Sequence, residues 1–280
     1  MVGILRRALT EILSPSEVLQ LCSGFDIIGD IAILKISNSL LQKKEIIANV
    51  LLQNLKSVKT VLRQVTPISG DYRIREVEYI LGERKTTTLY KEFNCLFKVD
   101  VATVYFSPRL SSERYRIAKQ IGTNETVINM FAGIGLFSIL IAKIQPSSFV
   151  HSIDINPHAY ELMGENVRIN KVANRVKPIL GDAALIIESS LGGSADRIIM
   201  PLPEKAKSYL NFAIKALKQE GGIIHYYTHI HADKSENPLE KARLELDSNI
   251  DTNHNILNIR KVREVGPRWY QIVIDVHIKR

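Results

Sequence analysis

The chain has 280 residues, 45% apolar and 24% charged, which excludes disorder, collagen and coiled coil as the main architecture. That length holds one large or two ordinary domains, each able to bury a core. Its 37 Lys and Arg against 29 Asp and Glu leave a charge of +8, spread along the chain, which fits a polyanionic partner without demanding one.

The opening MVGILRRALTEIL carries charge in its middle and has no small-residue cleavage site, unlike a signal peptide. Cys22 and Cys95 lie far apart with neither CxxC spacing nor a companion His, so buried thiols in a reducing cytoplasm are expected. Residues 25–36 (FDIIGDIAILKI) are a β-rich run centred on a glycine. Residues 43–55 have helical spacing through Ile46, Val50, Leu51 and Leu55. VKTVLRQV and TTTLYKEFNCLFKVDVATVYF read as strands. Together these predict a small α/β N-terminal domain over 1–100. A connecting segment, 101–122, carries SPRLSSER. If it is helical after Pro108, Arg109 and Glu113 stand four apart on one face, which alone describes an ordinary salt-bridged helix.

From 123 to 280 strands and helices alternate. Strand TVINMF (126–131) leads through a glycine turn into a helix ending near Ile144. Strand SFVHSID (148–154) precedes Asn156-Pro157, an N-cap and a first-turn proline, and a helix with Ala159, Met163 and Val167 on one face. Strands VKPILGD (176–182) and DRIIMPLP (196–203) follow, then a helix with Ala206, Leu210, Ala213 and Leu217 inward. GGIIHYYTHI, helix ENPLEKARLELD, and strands ILNIRKV and YQIVIDVHIK close the chain. The alternation predicts a parallel, doubly wound sheet, and the two consecutive last strands predict an antiparallel edge. The uncharged stretch Thr126–Ala142, 17 residues with two glycines, is too short for a membrane span.

In such sheets ligands bind at the C-terminal ends of the strands. Phe131, Ala132, Gly133 and Gly135 lie there after the first strand, and the glycines allow a tight turn and close approach. Ser138 replaces the third glycine of the pyrophosphate fingerprint, which disfavours NAD and suits a nucleoside without phosphates. Asp154, followed by Ile155, ends the second strand and can accept bonds from both ribose hydroxyls. Asp182, followed by Ala183, ends the third and can meet an adenine amino group, while Pro201 ends the fourth. Either aspartate alone is equally well a solvated strand-end cap. The turn and both aspartates in register are what S-adenosylmethionine (AdoMet) requires.

FDIIGDIAIL (25–34), YFSPRLSSER (105–114), MFAGIGLFSI (130–139), DINP (154–157), DRIIMPLP (196–203), GGIIHYYT (221–228) and GPRWY (266–270) occur in this order over nearly the whole chain. In these pieces the sequence resembles the archaeal and eukaryotic tRNA methyltransferases that modify the purine at tRNA position 37. The resemblance implies a small α/β domain fused to a Rossmann-like class I methyltransferase domain with an antiparallel last strand. It implies AdoMet as cofactor and tRNA as partner, tRNA-Phe in the wyosine branch. It also implies a cytoplasmic, monomeric enzyme needing no metal. By the same resemblance Glu113 is the general base, Arg73 holds guanine O6, and Arg109 is a structural or RNA-contacting neighbour. Tyr105, Phe106, Asp154 and Asp182 would line the AdoMet pocket. The chemistry is coherent: guanine N1 carries a proton, so a carboxylate must remove it, typically worth roughly 10²–10⁴-fold. A guanidinium stabilises charge developing on O6.

Three departures shape the reading. Pro201-Leu202-Pro203 stands where the guanine-N1 enzymes have Asn-Leu-Pro, and looks more like the archaeal branch that methylates 4-demethylwyosine at C7, with or without guanosine. The chain opens almost directly at the domain containing FDIIGD, so the further tRNA-gripping domain of many members is expected to be missing. Asn129 stands where Asp is common. The wybutosine-pathway aminocarboxypropyl transferases rank lower because they lack the SPRL and MPLP forms. Methyltransferases with NPPY or DPPY rank lower too, and a non-catalytic RNA-binding module is opposed by Gly133, Gly135, Asp154 and Glu113. Arg114, Arg116, Lys119, Arg263 and Arg268 are candidate phosphate contacts. Tyr105, Phe106, Tyr226, Tyr227 and Trp269 are candidates for stacking on an extruded base, core packing being the ordinary use of aromatics in strands. His225, His229 and His231 lack partners at ligand spacing, so no metal is expected there.

Overall fold

The computed structural model describes residues 8–10, 12–21 and 24–279. Cys22 lies outside the described residues, as do residues 1–7 of the opening segment; Cys95 is buried. The chain forms two compact units, Met1–Arg109 and Leu110–Arg280. The segment expected to connect two domains is thus divided, and its helix belongs to the second unit.

In the first unit, helix α1 (Pro15–Gln20) opens on a capping box between Ser14 and Glu17. Strands β1 (Phe25–Ile28) and β2 (Ile31–Leu34) form an antiparallel hairpin. Its turn needs Gly29, whose φ is +56° and whose Cβ would fall 2.4 Å from the Leu89 carbonyl oxygen. Helix α2 (Lys44–Asn54) buries Ile47, Ala48, Val50 and Leu51, whereas Ile46, expected inward, is exposed. Strand β3 (Thr60–Gln64) runs parallel to β2, and β4 (Val77–Gly82) antiparallel to β3, completing a sheet of order β1-β2-β3-β4. β4 was not legible as a strand because only Ile80 is buried along it. β5 (Thr87–Glu92) and β6 (Cys95–Asp100) form a separate hairpin, turned by Phe93 and Asn94, both with positive φ. The strand expected to run on to Phe106 ends at Asp100.

A 3₁₀ turn over Pro108–Leu110 spans the boundary, and the second unit begins with helix α3 (Ser111–Gln120). Then come β7 (Thr126–Asn129), α4 (Leu136–Ile144), β8 (Phe149–Asp154), α5 (Pro157–Ile169), β9 (Val176–Leu180) and the short α6 (Ala183–Ile186). The rest is β10 (Arg197–Met200), α7 (Pro203–Ala216), β11 (Gly222–His231), α8 (Pro238–Asp247), β12 (His254–Gly266) and β13 (Trp269–Ile278). Asn156 caps α5 by accepting from the His158 amide, with Pro157 at its first position.

These strands make one seven-stranded sheet, β12-β13-β11-β10-β7-β8-β9. β7 to β11 are mutually parallel, and β13 is antiparallel to both its neighbours. The expected antiparallel edge is there: the last two strands form it, with the last strand, β13, antiparallel to both neighbours and β12 outermost. Burial explains the order of the two. Residues Gln271–Val276 of β13 are all buried, which suits an internal strand, whereas β12 has no fully buried residue. On one face Ile198, Met200, Ile224, Tyr226, Ile272 and Ile274 pack with Ala206, Leu210, Ala213 and Leu217. Helices α3 and α4 pack against each other elsewhere in the same unit. Among the described residues no helix is long and apolar enough to cross a membrane.

Candidate active site

The ends of β7, β8 and β9 are joined by hydrogen bonds through the turn at residues 130–135. The Ala132 amide donates to the Ile153 carbonyl (2.8 Å), and the Gly133 amide to Asp154 Oδ2 (2.6 Å). The Gly181 amide donates to the Asp154 carbonyl (3.0 Å). The two glycines serve different ends. Gly135, at φ +90° before α4, would bring a Cβ to 3.0 Å from Met163 Cγ, so it is needed for packing. Gly133, at φ +54°, would meet nothing within 4 Å, so its backbone faces open space. Asp154 Oδ1 accepts from the Asn156 amide (3.0 Å). Burial raises the Asp154 pKa, and the Asn156 and Gly133 amides oppose that shift. Each carboxylate oxygen has taken one amide and can accept a second donor.

Asp182 caps α6: its Oδ1 accepts from the Ala184 (2.8 Å) and Leu185 (3.3 Å) amides. Its Oδ2 accepts from the Tyr209 hydroxyl, and the Tyr209 ring stands edge-on to Phe131 at 5.2 Å. Tyr209 was not singled out from sequence; no local pattern links α7 to the end of β9. Leu180 pairs directly with Asp154 across β8 and β9. Ile155, Leu180 and Leu185 are exposed apolar residues next to the two aspartates in sequence. Ala132 and Ala183 are buried, and Pro201 is half-buried ahead of α7. Asn129, fully buried, donates to Ser138 Oγ (3.2 Å), which accounts for both departures from the commoner glycine and aspartate.

Glu113 is buried on α3, with both oxygens engaged. Arg116 Nη2 lies 2.8 Å from Oε1 and Arg116 Nε 3.0 Å from Oε2. Tyr227 donates its hydroxyl to Oε1 (2.8 Å), and Arg260 Nη1 stands 3.3 Å from Oε2. The expected Arg109–Glu113 pairing is corrected. Arg109 precedes the helix and binds Asp26 Oδ1 through Nη2 (2.8 Å), while Glu113 pairs within the helix with Arg116. Arg114 and Arg116, expected at phosphates, are used otherwise: Arg114 is buried, and Arg116, half-buried, spans Glu113 and Asp275. Tyr226 and Tyr227, expected as stacking platforms, are core residues bonded to Glu245 and Glu113. Phe106 is also buried, edge-on to Tyr90 at 4.8 Å.

In the first unit, Arg73 has φ +53° and its guanidinium lies 4.8 Å from the Tyr105 ring centroid, so two candidates meet there. On the β12–β13 turn, Arg268 has φ +61° and binds Asp233 Oδ1 (2.6 Å). The neighbouring Trp269 is half-exposed, with its ring 5.3 Å from that of His231. Arg263 binds Gln271, and Lys119 lies over the Tyr115 ring.

Numbered from β7, the sheet has the order 3-2-1-4-5-7-6, with the seventh strand reversed. With the glycine turn and Asp154 at its strand ends, the second unit is a Rossmann-like domain of the class I methyltransferase kind. Residues 88–252 match the TRM5/TYW2 methyltransferase domain, and residues 5–86 the TYW2 N-terminal domain. The chain is 41% identical over 257 residues to tRNA (guanine(37)-N(1))-methyltransferase Trm5b of Pyrococcus abyssi, covering 91% of this chain and 75% of that protein. It is 38% identical over 252 residues to tRNA 4-demethylwyosine(37)-methyltransferase Taw21 of Saccharolobus solfataricus, covering 90% and 92%. Its fold superposes on aTrm5, solved in complex with tRNALeu, with a TM-score of 0.86 at 33% identity, covering 100% of this chain and 79% of that one. The chain belongs to the TRM5/TYW2 family.

Proposed function

We propose that the protein transfers a methyl group from AdoMet to the base at tRNA position 37, and that 4-demethylwyosine is the acceptor its residues match better. The observation that carries the reading is the link between the Gly133 amide and the half-buried Asp154 carboxylate, at 2.6 Å. These residues fit a nucleoside. The open side of Gly133 admits close approach, Asp154 retains acceptor capacity for ribose hydroxyls, and Ile155 and Leu180 offer apolar surface to a base. Asp182 is prepositioned by Tyr209 and the α6 amides to accept from an adenine amino group. Bound there, AdoMet supplies an electrophilic methyl on a sulfonium.

Glu113 takes the proton. With guanosine the methyl–N1 bond forms as the sulfur–methyl bond breaks, and the N1 proton passes to a Glu113 oxygen. With 4-demethylwyosine the new bond is to C7, and the C7 proton leaves to the same carboxylate. Arg73 is assigned to the acceptor's carbonyl oxygen, with Tyr105 supporting its guanidinium. Arg109 is a structural neighbour held by Asp26. Arg268 and Trp269 are assigned to RNA, the arginine to phosphate and the indole to a base.

Pro201 and Pro203 favour the tricyclic acceptor. A proline offers neither a side-chain amide nor a backbone donor, so Pro201 cannot supply what an asparagine gives guanine. Likeness to Taw21 supports the same choice, while likeness to Trm5b favours guanosine N1 as the second reading. The deciding experiment is methyl transfer to two tRNA-Phe substrates, one with guanosine and one with 4-demethylwyosine at position 37, read by nucleoside mass spectrometry. A methyl on the tricyclic base alone supports the first reading, methyl on guanosine alone the second, and none on either overturns both.

A further inference from the structure

Behind Glu113 runs a line of polar side chains within the second unit. Arg116 Nη1 and Nη2 bind the two Asp275 oxygens (2.5 and 3.1 Å) while Nε and Nη2 bind Glu113. Asp275 Oδ1 lies 2.6 Å from His225 Nδ1, its direct partner across β11 and β13. Asn258, its partner on β12, donates to Oδ2 (3.1 Å). His225 Nε2 lies 3.0 Å from Arg197 Nη1, and Arg197 binds Glu125 through Nε (2.6 Å) and Nη2 (2.9 Å). An arginine only donates, so His225 Nε2 accepts and its proton sits on Nδ1, directed at Asp275. The histidine is therefore neutral. Burial lowers its pKa, in agreement. Asp275 is also held below its ordinary value: burial works against this, and the bonds from His225 and Arg116 outweigh it.

The arrangement has a direction. Glu125, Arg197, His225 and Asp275 lie in or beside the sheet, whereas Arg116 and Glu113 sit on α3. Each link consumes the donors that would let the next turn away. Arg116 is fixed on one side by a carboxylate that itself cannot move, and can present its remaining edge only to Glu113. Glu113 is faced also by Tyr227 from β11 and Arg260 from β12, with buried Arg114 next to it in the chain. Arg260 is 42% exposed and makes a single longer contact, so Arg116 is the fixed partner and Arg260 the loose one.

The geometry points to Arg116 as a positioning residue for Glu113, held in place by Asp275 and His225, which keeps the carboxylate aimed at the acceptor's proton. This inference rests on Glu113 being the proton acceptor proposed above. It predicts a split between rate and binding: loosening either end of the Arg116 bridge lowers the rate of methyl transfer and leaves ligand affinity alone.

The test is single-turnover methyl transfer at saturating AdoMet and tRNA, beside equilibrium binding of both, for the wild type, Arg116→Gln, Arg116→Lys, Asp275→Asn and Glu113→Gln. Arg116→Gln should lower the rate about tenfold or more and leave tRNA and AdoMet Kd within about twofold. Arg116→Lys should recover only part of the rate, since an ammonium cannot bridge two carboxylates edge-on. Asp275→Asn keeps Arg116 but loosens its hold, and should lower the rate by less than Arg116→Gln with Kd again unchanged. Should Arg116→Gln fail to accumulate folded protein, Arg116→Lys and Asp275→Asn carry the test. Wild-type rates in these variants, or a loss of ligand affinity that matches the loss of rate, overturn the inference. Full turnover by Glu113→Gln overturns the base assignment itself, and so is read apart from a failure of Arg116.

Discussion

The Tyr227 hydroxyl lies 2.8 Å from Glu113 Oε1, and the Tyr227 ring stands edge-on to Phe137, the second residue of the helix opened by the Gly135 turn. The carboxylate proposed as proton acceptor and the turn proposed to hold the cofactor are thus linked by two side chains. The level is right as well. Tyr226 pairs with Met200, the last residue of β10, so Tyr227 stands at the strand ends where such sheets bind their ligands.

Glu113→Gln should leave AdoMet and tRNA binding within about twofold and lower single-turnover methylation by roughly 10²–10⁴-fold. Equilibrium binding beside rapid-quench methyl transfer measures both. Unchanged turnover removes Glu113 as the base.

Tyr227→Phe removes one buried hydrogen bond to that carboxylate and should lower turnover about fivefold. Burial, and then Glu113, push the Tyr227 pKa well above its ordinary 10.0. The folded state therefore keeps a proton that the unfolded chain releases. The stability is present below pH 10 and is lost as pH rises beyond it. Denaturant midpoints between about pH 9 and 11 should fall less steeply in Tyr227→Phe than in the wild type.

His225 should make stability fall on the acid side. Its pKa is lowered from 6.5 by burial, so below that value the unfolded chain binds a proton that the folded chain refuses. Asp275, also depressed, adds loss in the same direction at lower pH. Urea midpoints should decline from pH 7 to pH 5, and His225→Gln should flatten that decline. An equal slope in both proteins contradicts the assignment.

The two turn glycines should fail differently. Gly135→Ala combines a left-handed backbone with a Cβ 3.0 Å from Met163 Cγ, so it should cost about 2 kcal/mol or more in denaturation. Gly133→Ala meets only the backbone strain, about 1–2 kcal/mol, and should act mainly on AdoMet affinity by calorimetry. Asp154→Ala should weaken AdoMet roughly 10- to 100-fold, through lost bonds to a charged acceptor.

Pro201→Asn restores a side-chain amide ahead of α7. It should raise methylation of guanosine-37 relative to 4-demethylwyosine by about tenfold, the worth of one good hydrogen bond. Competition between the two tRNAs in one reaction, read by mass spectrometry, gives the ratio directly.

Patterns local in sequence decided much of this protein. Strand–helix alternation, the glycines at 133 and 135, the Asn156-Pro157 cap and Asp154 at a strand end were all legible, because each depends on a few neighbouring residues. So was the buried face of α7. What depends on distant residues was not. Reversed β13 entered the sheet between β11 and β12 because its run from Gln271 to Val276 needs burial on both sides, a demand that only competing strands can meet. Arg114, Arg116 and Tyr227 read as RNA contacts from their chemistry alone, yet the tertiary structure buries Arg114 and Tyr227 and turns Arg116 and Tyr227 onto Glu113. Asp275 lies 159 residues from Arg116, and no periodicity reaches that far. A charge in a sequence has no address; burial makes an unpaired charge so costly that the fold must supply its partners, wherever in the chain they are found.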